Sequence, residues 1–426
     1  MCSNLVHPTI FFRTLHQNNP HNAIWDIIHQ LRHLHTFAAP NQADPLMVRD
    51  PLPATLTHLT IPRMLEPGST HGGQYQTVVQ ALSKCIHLRS LKLKMLWMHV
   101  NDMLARVSSV FVFISEFEHL DSFEVEITGY SSPVPPYALP LLCALQSLLH
   151  DNKSRLIMTH LTMTGQRVQH LCMARTSSHE FATVQRASAR GIALVQPAEP
   201  EVFLSSIQSE QQVRILFAPS LEHLSLLHVT LQSAFFPALG LLTHLKTLDL
   251  RPLAPKHGET EWTYTKEDIR EMWKAFGQME KLEQIRLEIL QYAALPGDEG
   301  VEAFAACKNL SSLYLTSSSL EGAFGPATAA VLAGLPRLSE LTLSARALID
   351  ADGYFGVPAF KLLAGSKSLK ELKVLDATME LHDAARELLP LFPHTCITMG
   401  GTVLAPPPSP AFVKPKSKSK KKCIIQ

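Results

Sequence analysis

The chain has 426 residues, 46% of them hydrophobic and 18% charged, and its formal net charge is +1 at pH 7. This balance suits a folded, soluble protein. The N-terminus has no charged leader followed by an apolar core, and the longest mostly apolar run, 135–149, is shorter than the roughly 20 residues that span a bilayer. We therefore expect neither a secretory signal nor a membrane-spanning helix.

The cysteines and the charges are both informative about location. Seven cysteines, an odd number without a C-x-x-C pair, favour a reduced cytosolic or nuclear compartment over a disulfide framework. Six lysines lie between Lys414 and Lys422 and no acid follows Glu387, so the rest of the chain carries a net charge of −5. We expect a mildly acidic body with a basic tail.

One apolar phrase, with leucine or a substitute at its first, fourth and sixth positions, recurs from one end of the chain to the other. Complete copies begin at Leu88, Leu221, Leu245, Leu310 and Leu338. Substituted copies begin at Leu56, Leu120, Leu282 and Leu369, a weaker copy begins at Met158, and the weakest is Leu31-Leu34-Thr36. The last two apolar positions are two residues apart, so both face the same side of a short strand.

This L-x-x-L-x-L phrase resembles the core of the leucine-rich repeat. The resemblance implies an α/β fold, a leucine-rich repeat solenoid shaped as a curved horseshoe with parallel strands on the concave face and helices on the convex face. Apolar residues at spacings of three and four predict the helices between phrases. The predicted segments are 75–85, 265–279, 298–307, 327–335, 358–364 and 382–391.

The phrases divide the chain into three regions. Residues 1–50 predict a helical or capping region with a degenerate repeat, and residues 51–399 predict the solenoid. Residues 165–219, in the widest gap between phrases, form an irregular insertion that is either one degenerate repeat or a loop leaving the solenoid. We favour a lost repeat with a mobile loop around Ala174–Pro200. Residues 400–426 predict a disordered Gly/Pro linker, a polybasic tail and a terminal lipidation box.

Four histidines occupy the same place in their phrases, immediately before the first core leucine of the strand. They are His33, His58, His160 and His223. Other phrases have Ser90, Ser122 and Thr247 at that place, so the predicted row is broken. We interpret the histidines as polar filler at the edge of the concave face rather than as a zinc site.

The concave face is the predicted binding surface, because alternate strand residues point away from the core. Its charges are mixed in sign and its aromatic residues are few, which argues against a nucleic-acid groove. The residues predicted to contact a protein partner are Lys92, Lys94, Asp249, Arg251, Arg286, Glu288, Tyr314, Glu371 and Lys373. The alternative is a solvated face without a partner.

No phosphate-binding loop, zinc-protease motif or nucleophile elbow is present in the sequence. We therefore predict that the protein is not an enzyme, with no catalytic residue, cofactor or metal ligand.

The C-terminal residues Cys423-Ile424-Ile425-Gln426 fit the C-a-a-X prenylation box, in which a final glutamine favours farnesyl. This motif predicts lipidation of Cys423 by a prenyltransferase. The lysines expected to contact an anionic membrane surface are Lys414, Lys416, Lys418, Lys420, Lys421 and Lys422. The predicted location is the cytoplasmic face of a membrane, and the alternative is a cytosolic or nuclear protein.

Residues 50–399 most closely resemble the irregular, fungal-type leucine-rich repeats of F-box proteins, some of which end in a prenylation box as this chain does at Cys423. No L-P-x-E-I-L-like F-box start is found, and 25–34 is a poor imitation. Our first hypothesis is a non-catalytic, membrane-tethered scaffold that binds a protein of unknown identity. The second is a substrate-receptor subunit of a ubiquitin ligase with a missing or degenerate F-box, which the resemblance would connect to a Skp–cullin core.

Overall fold

The structure, a computed structural model, describes residues 28, 31–39, 52–64, 82, 85–97, 117–129, 155–164, 167–179, 181–182, 192–193, 214–215, 220–229, 231, 235–252, 266–289, 301–317, 326–344, 357–375, 386 and 389–404. These residues have an α/β architecture dominated by one 14-stranded sheet, which is mostly parallel and not closed. Its strand order is β1-β2-β3-β4-β6-β5-β9-β10-β11-β12-β13-β14-β15-β16, and β7 pairs with β8 separately.

The strands are short and regularly placed along the chain. They are β1 (Thr36–Ala38), β2 (His58–Met64), β3 (Ser90–Trp97), β4 (Ser122–Gly129), β5 (Leu156–Thr164), β6 (Arg167–Arg175), β7 (Ile192–Ala193), β8 (Arg214–Ile215), β9 (His223–Val229), β10 (Thr247–Pro252), β11 (Gln284–Ile289), β12 (Ser312–Ser317), β13 (Glu340–Ser344), β14 (Glu371–Leu375), β15 (Cys396–Met399) and β16 (Thr402–Leu404). The α-helices are α1 (Phe235–Ala238), α2 (Lys266–Phe276), α3 (Pro326–Ala333) and α4 (Val357–Ala364), and 3-10 helices span Leu239–Leu241, Val301–Ala306 and Leu389–Leu391.

The leucines of the repeated phrase form the core. In the phrase that contains β13, Leu338, Leu341 and Leu343 are at most 1% exposed. Leu341 is in register with Leu313 of β12 and with Leu372 of β14, so equivalent apolar positions stack from strand to strand. Burying one such side chain contributes about 1.5–3 kcal/mol, which explains why the phrase dictates strand position.

Backbone hydrogen bonds link most phrases to the preceding one. The Ser339 N–H donates to the Ser311 carbonyl at 2.9 Å, and its hydroxyl donates to the same oxygen at 3.1 Å. The Ser311 hydroxyl likewise donates to the Glu283 carbonyl at 3.0 Å. These contacts stabilise the turn that precedes each strand, because they satisfy backbone carbonyls at the start of the ladder.

The helices predicted over 265–279, 327–335 and 358–364 are confirmed as α2, α3 and α4. The prediction over 298–307 corresponds to the 3-10 helix Val301–Ala306. The acids Glu267 and Asp268 lie in the first turn of α2, where the helix dipole favours them. Trp273 and Phe276 of α2 contact Phe304, with ring centroids 4.7 and 5.7 Å apart, and join the hydrophobic cluster of the strand leucines. Most of 75–85 and 382–391 lies outside the described residues.

The sheet departs from the expected parallel stack at β6. The sequence prediction placed a lost repeat in the insertion 165–219 and a mobile loop from Ala174, whereas residues through Arg175 belong to a nine-residue strand. This strand is antiparallel and lies between β4 and β5, with Leu171 and Met173 each 1% exposed. It was not predicted because Val168 and Met173 stand at the first and sixth phrase positions, where most phrases have leucine.

The first phrase lies three residues later than predicted. Leu34, Phe37 and Ala39 are buried, and Phe37 is in register with Leu59 of β2. The predicted phrase Leu31-Leu34-Thr36 is therefore wrong, and Thr36 rather than His33 is the counterpart of His58.

The sheet also continues beyond the predicted boundary at residue 399. Gly400 and Gly401 have φ angles of 51° and 84° and form a two-residue turn between β15 and β16, which are antiparallel. Such a turn requires positive φ at both central positions, which glycine adopts without a steric cost. The Gly pair is thus part of the folded body, and Leu404 is 7% exposed.

Candidate functional site on the polar face of the sheet

The face of the 14-stranded sheet opposite the buried leucines, here called the polar face, is formed by the alternate residues of each strand. Strand register aligns many of these residues in two rows. The first row is Thr60, Lys92, Glu124, Cys172, His160, His223, Thr247, Gln284, Ser312, Glu340, Glu371 and Cys396. The second row is Lys94, Glu126, His170, Thr162, Ser225, Asp249, Arg286, Tyr314, Thr342, Lys373 and Thr398. All nine predicted contact residues lie on this face, because Arg251 and Glu288 follow row members by two residues.

Five of the predicted residues come together on β10, β11 and β12 and are here called the Arg–Tyr patch. They are Asp249, Arg251, Arg286, Glu288 and Tyr314. Arg251 donates from Nε and Nη2 to the two carboxylate oxygens of Asp249 at 2.9 and 2.7 Å. This bidentate hydrogen bond raises the pKa of Arg251, against the opposing effect of partial burial. Glu288 lies 3.9 Å from both arginines and joins the two sides of the patch.

The Arg286 side chain lies over the ring of Tyr314, with its guanidinium carbon 4.2 Å from the ring centroid. Such a cation–π contact contributes about 0.5–1 kcal/mol at an exposed site. The Nε atom of Arg286 is buried and has no hydrogen-bond partner among the described residues, while the Arg286 side chain as a whole is 41% exposed. Arginine and tyrosine are enriched in the central contacts of protein interfaces. The patch therefore combines a planar cation, an aromatic face and carboxylates in one partly exposed area.

The predicted contact lysines are paired with acids on the same face. Lys92 contacts Glu124 at 2.5 Å, Lys94 contacts Glu126 at 2.7 Å, and Lys373 contacts Glu371 at 3.0 Å. Exposed ion pairs of this kind contribute only about 0–1 kcal/mol each. A lysine that left its acid on this face to pair with an acid on another protein would therefore lose little free energy.

A second group of polar side chains, here called the junction cluster, lies where β4, β6, β5 and β9 meet. Its members are Glu124, His160, His170, Cys172 and His223. His170 Nε2 is 2.9 Å from Glu124 Oε1 and 3.5 Å from Cys172 Sγ. The ring centroid of His160 is 4.6 Å from that of His170 and 5.5 Å from that of His223. The donor atoms of Glu124, His170 and Cys172 all lie within 4.8 Å of one another.

The junction cluster shifts the pKa values of three of its groups. Burial, together with the charges of His170 and His223, lowers the pKa of His160 to about 4. Burial, assisted by the negative charge of Glu124, raises the pKa of Cys172 to about 11. For Glu124, burial acts to raise the pKa, but hydrogen bonds from Lys92 and His170 outweigh it and the pKa is lowered. At neutral pH the cluster therefore holds a carboxylate, a thiol and a neutral His160.

The phrase pattern does not predict this cluster, because equivalent phrase positions are expected to be neighbours and would put Ser122 beside His160. Instead, the antiparallel β6 and a register shift between Met158 and His160 place Cys172 beside both Glu124 and His160. His160 and His223 are aligned directly, as their shared phrase position predicted. The sequence His170-Leu171-Cys172, with two polar ligand types on one strand face, is the signal that could have indicated the site.

The remaining predicted site residues lie outside the described part of the chain. They are Cys423, Lys414, Lys416, Lys418, Lys420, Lys421 and Lys422. Within the described part, no helix combines the length and the apolar character needed to cross a bilayer.

No protein-family model matches the chain, and no relative is found among curated proteins.

Proposed function

We propose that the chain is a non-catalytic interaction scaffold that binds a protein partner through the polar face of its sheet. The finer architecture that we propose is a leucine-rich repeat solenoid, curved so that the polar face is concave and the helices lie on the convex side. Stacking of equivalent leucine and isoleucine positions across β9–β15 supports this proposal. A concave row of side chains from successive repeats is the extended binding surface that such proteins use.

The observation that carries the binding proposal is the stacking of Arg286 on Tyr314 beside the Asp249–Arg251 pair. The guanidinium and the ring are held by neighbouring strands, so little side-chain freedom remains to be lost on binding. The mixed charges favour a partner segment that offers both an acid for Arg286 and a base for Glu288.

The test is proximity cross-linking in the protein's own cells, comparing the parent with Tyr314→Ala and Arg286→Ala. Lys281→Ala, an exposed change outside the polar face, is the matched control. We expect one set of cross-linked proteins to be lost from both patch variants and retained in the control. Retention of the same proteins by every variant would contradict binding at the patch. A Skp–cullin core among the lost proteins would favour the substrate-receptor function over the simple scaffold.

We further propose that the scaffold is tethered to a membrane by a prenyl group on Cys423 and by the neighbouring lysines. A single lipid chain of myristoyl size gives only marginal binding, of order 10⁴ M⁻¹, so stable attachment needs a second signal. Each lysine near an anionic leaflet adds up to about 1 kcal/mol before screening. The intact mass of the cellular protein tests this tether, because an unmodified Cys423-Ile424-Ile425-Gln426 end would rule it out. A Cys423→Ser variant is expected to leave the membrane fraction.

A further inference from the structure

The junction cluster contains three different metal-ligating side chains on two paired strands. Glu124 projects from β4 and His170 and Cys172 project from β6, all on the polar face. We propose that Glu124, His170 and Cys172 form a binding site for a divalent transition-metal ion, with zinc as the preferred ion. This site is separate from the Arg–Tyr patch and does not depend on the proposed binding of a protein partner.

The distances fit such an ion. Zinc bonds of about 2.0–2.3 Å to oxygen, nitrogen and sulfur place neighbouring ligand atoms about 3.3–3.6 Å apart in a tetrahedral site. His170 Nε2 and Cys172 Sγ are 3.5 Å apart, within this range. His170 Nε2 and Glu124 Oε1 are 2.9 Å apart, so binding requires them to separate by roughly half an ångström. That change replaces one hydrogen bond by two metal bonds and lies within side-chain motion.

The donor set also indicates the kind of ion. A thiolate and an imidazole favour zinc and its neighbours in the transition series, whereas magnesium and calcium prefer oxygen ligands alone. Three protein ligands leave the fourth tetrahedral position for water or for another molecule. On binding, the Cys172 thiol transfers its proton to solvent, and the sulfur donates an electron pair to the metal.

Lys92 is the competitor at this site. Its ammonium group lies 2.5 Å from Glu124 Oε1, the same oxygen that contacts His170. A carboxylate has two oxygens and about four lone-pair sites, and the lysine stem is flexible, so Lys92 can move away or transfer to the second oxygen. Removing the lysine should therefore strengthen metal binding. If Lys92 served only to hold Glu124 in place, its removal would instead weaken metal binding.

The experiment uses the full chain purified without a histidine tag. Zinc content is measured after dialysis against a weak chelator, and cobalt(II) is added separately as a spectroscopic probe. We expect one zinc per chain and, with cobalt, a thiolate-to-metal charge-transfer band. Cys172→Ser, His170→Gln and Glu124→Gln should each weaken zinc binding by more than about 100-fold, since losing an outer-shell partner alone costs 10- to 100-fold. Lys92→Met should tighten it.

Two controls resemble the ligands but lie outside the site. Glu126→Gln changes the next polar-face acid of β4, and Cys396→Ser changes a partly buried cysteine at the far end of the first row. Both should retain one zinc. The proposal is overturned if the parent binds no stoichiometric zinc, if Cys172→Ser and His170→Gln bind like the parent, or if cobalt gives no thiolate band. Circular dichroism identifies a variant that fails to fold, and the cobalt spectrum of the parent then decides.

Discussion

Strands β10 to β14 and the junction of β4, β6, β5 and β9 are built from the same kinds of residue but differ in regularity. From β10 to β14, every pair is parallel and the register is unbroken. At the junction, one strand is antiparallel and the register shifts twice. The regular strands place equivalent residues of successive phrases side by side, so their surface follows from the sequence. The junction instead joins Glu124 to His170, 46 residues away, and creates a chemical site that periodicity does not predict.

The largest effect is expected in the regular strands. Leu341→Asp places an unpaired carboxylate where the leucine is 1% exposed, and it should lower the free energy of unfolding by roughly 3–5 kcal/mol. Urea denaturation followed by circular dichroism measures the change. Thr342→Asp, the next residue on the polar face, serves as the control and should change the value by less than about 0.5 kcal/mol. Equal midpoints for the two variants would show that the register is wrong.

A somewhat smaller effect is expected at the junction. Leu171 of β6 is 1% exposed, so Leu171→Ala should cost about 2–4 kcal/mol if this antiparallel strand is an integral part of the core. Gln169→Ala, an exposed change on the same strand, should be nearly neutral. The same denaturation experiment applies. A neutral Leu171→Ala would instead favour a loop that leaves the sheet.

The reactivity of one thiol in each region, Cys307 and Cys172, allows the two regions to be compared. Burial raises the pKa of Cys307 to about 12, and its Sγ lies 3.2 Å from the Phe276 carbonyl, whereas the pKa of Cys172 is raised to about 11. Cys307 is buried whereas Cys172 is half-buried, and both thiols are largely protonated at pH 8, so Cys172 should be alkylated faster. Both rates should rise with pH, because deprotonation creates the nucleophile.

Peptide mass spectrometry after timed labelling measures these two rates. In urea both thiols should react alike, since the unfolded chain has the ordinary pKa of about 8.5. Faster labelling of Cys307 than of Cys172 in the folded protein would contradict the burial described for the core.

The smallest effect concerns the Arg–Tyr patch. A double-mutant cycle with Arg286→Ala and Tyr314→Ala should give a coupling free energy of about 0.5–1 kcal/mol, from the cation–π contact at 4.2 Å. The matched cycle for Lys373 and Glu371, an exposed pair at 3.0 Å, should give no more than about 0.5 kcal/mol and should vanish in high salt. Coupling of Arg286 and Tyr314 that also disappears in salt would indicate charge effects through Glu288 instead.

Much of the fold was predictable from one phrase. Leucines such as Leu245, Leu310 and Leu338 mark turns, the apolar residues after them mark strands, and alternation assigns the polar face. The helices α2, α3 and α4 followed from spacings of three and four. These predictions succeeded because neighbouring strands of the sheet keep equivalent phrase positions in register, so the pattern of one phrase constrains the next.

The junction and the two ends were less predictable for a physical reason. The alternation of apolar and polar residues does not determine strand direction. The sequence of residues 167–175 is therefore equally compatible with a parallel strand, an antiparallel strand or a degenerate repeat. In the first phrase, Phe37 and Ala39 replace the expected leucines, and the pattern aligned three residues too early. At the other end, Gly400 and Gly401 have the composition of a linker but the φ angles of a hairpin turn.

That hairpin determines where the protein can be shortened. A chain ending at Met399 would keep the last repeat phrase yet expose the backbone N–H and C=O groups of β15 that β16 now occupies. Bare strand edges recruit other chains, and Ile397 and Met399, now fully buried, would lie next to that edge. Truncated forms ending at the glycines should precipitate, whereas those that retain Leu404 should stay dispersed. The glycine pair therefore lies inside the smallest fragment that should remain in solution, rather than at its end.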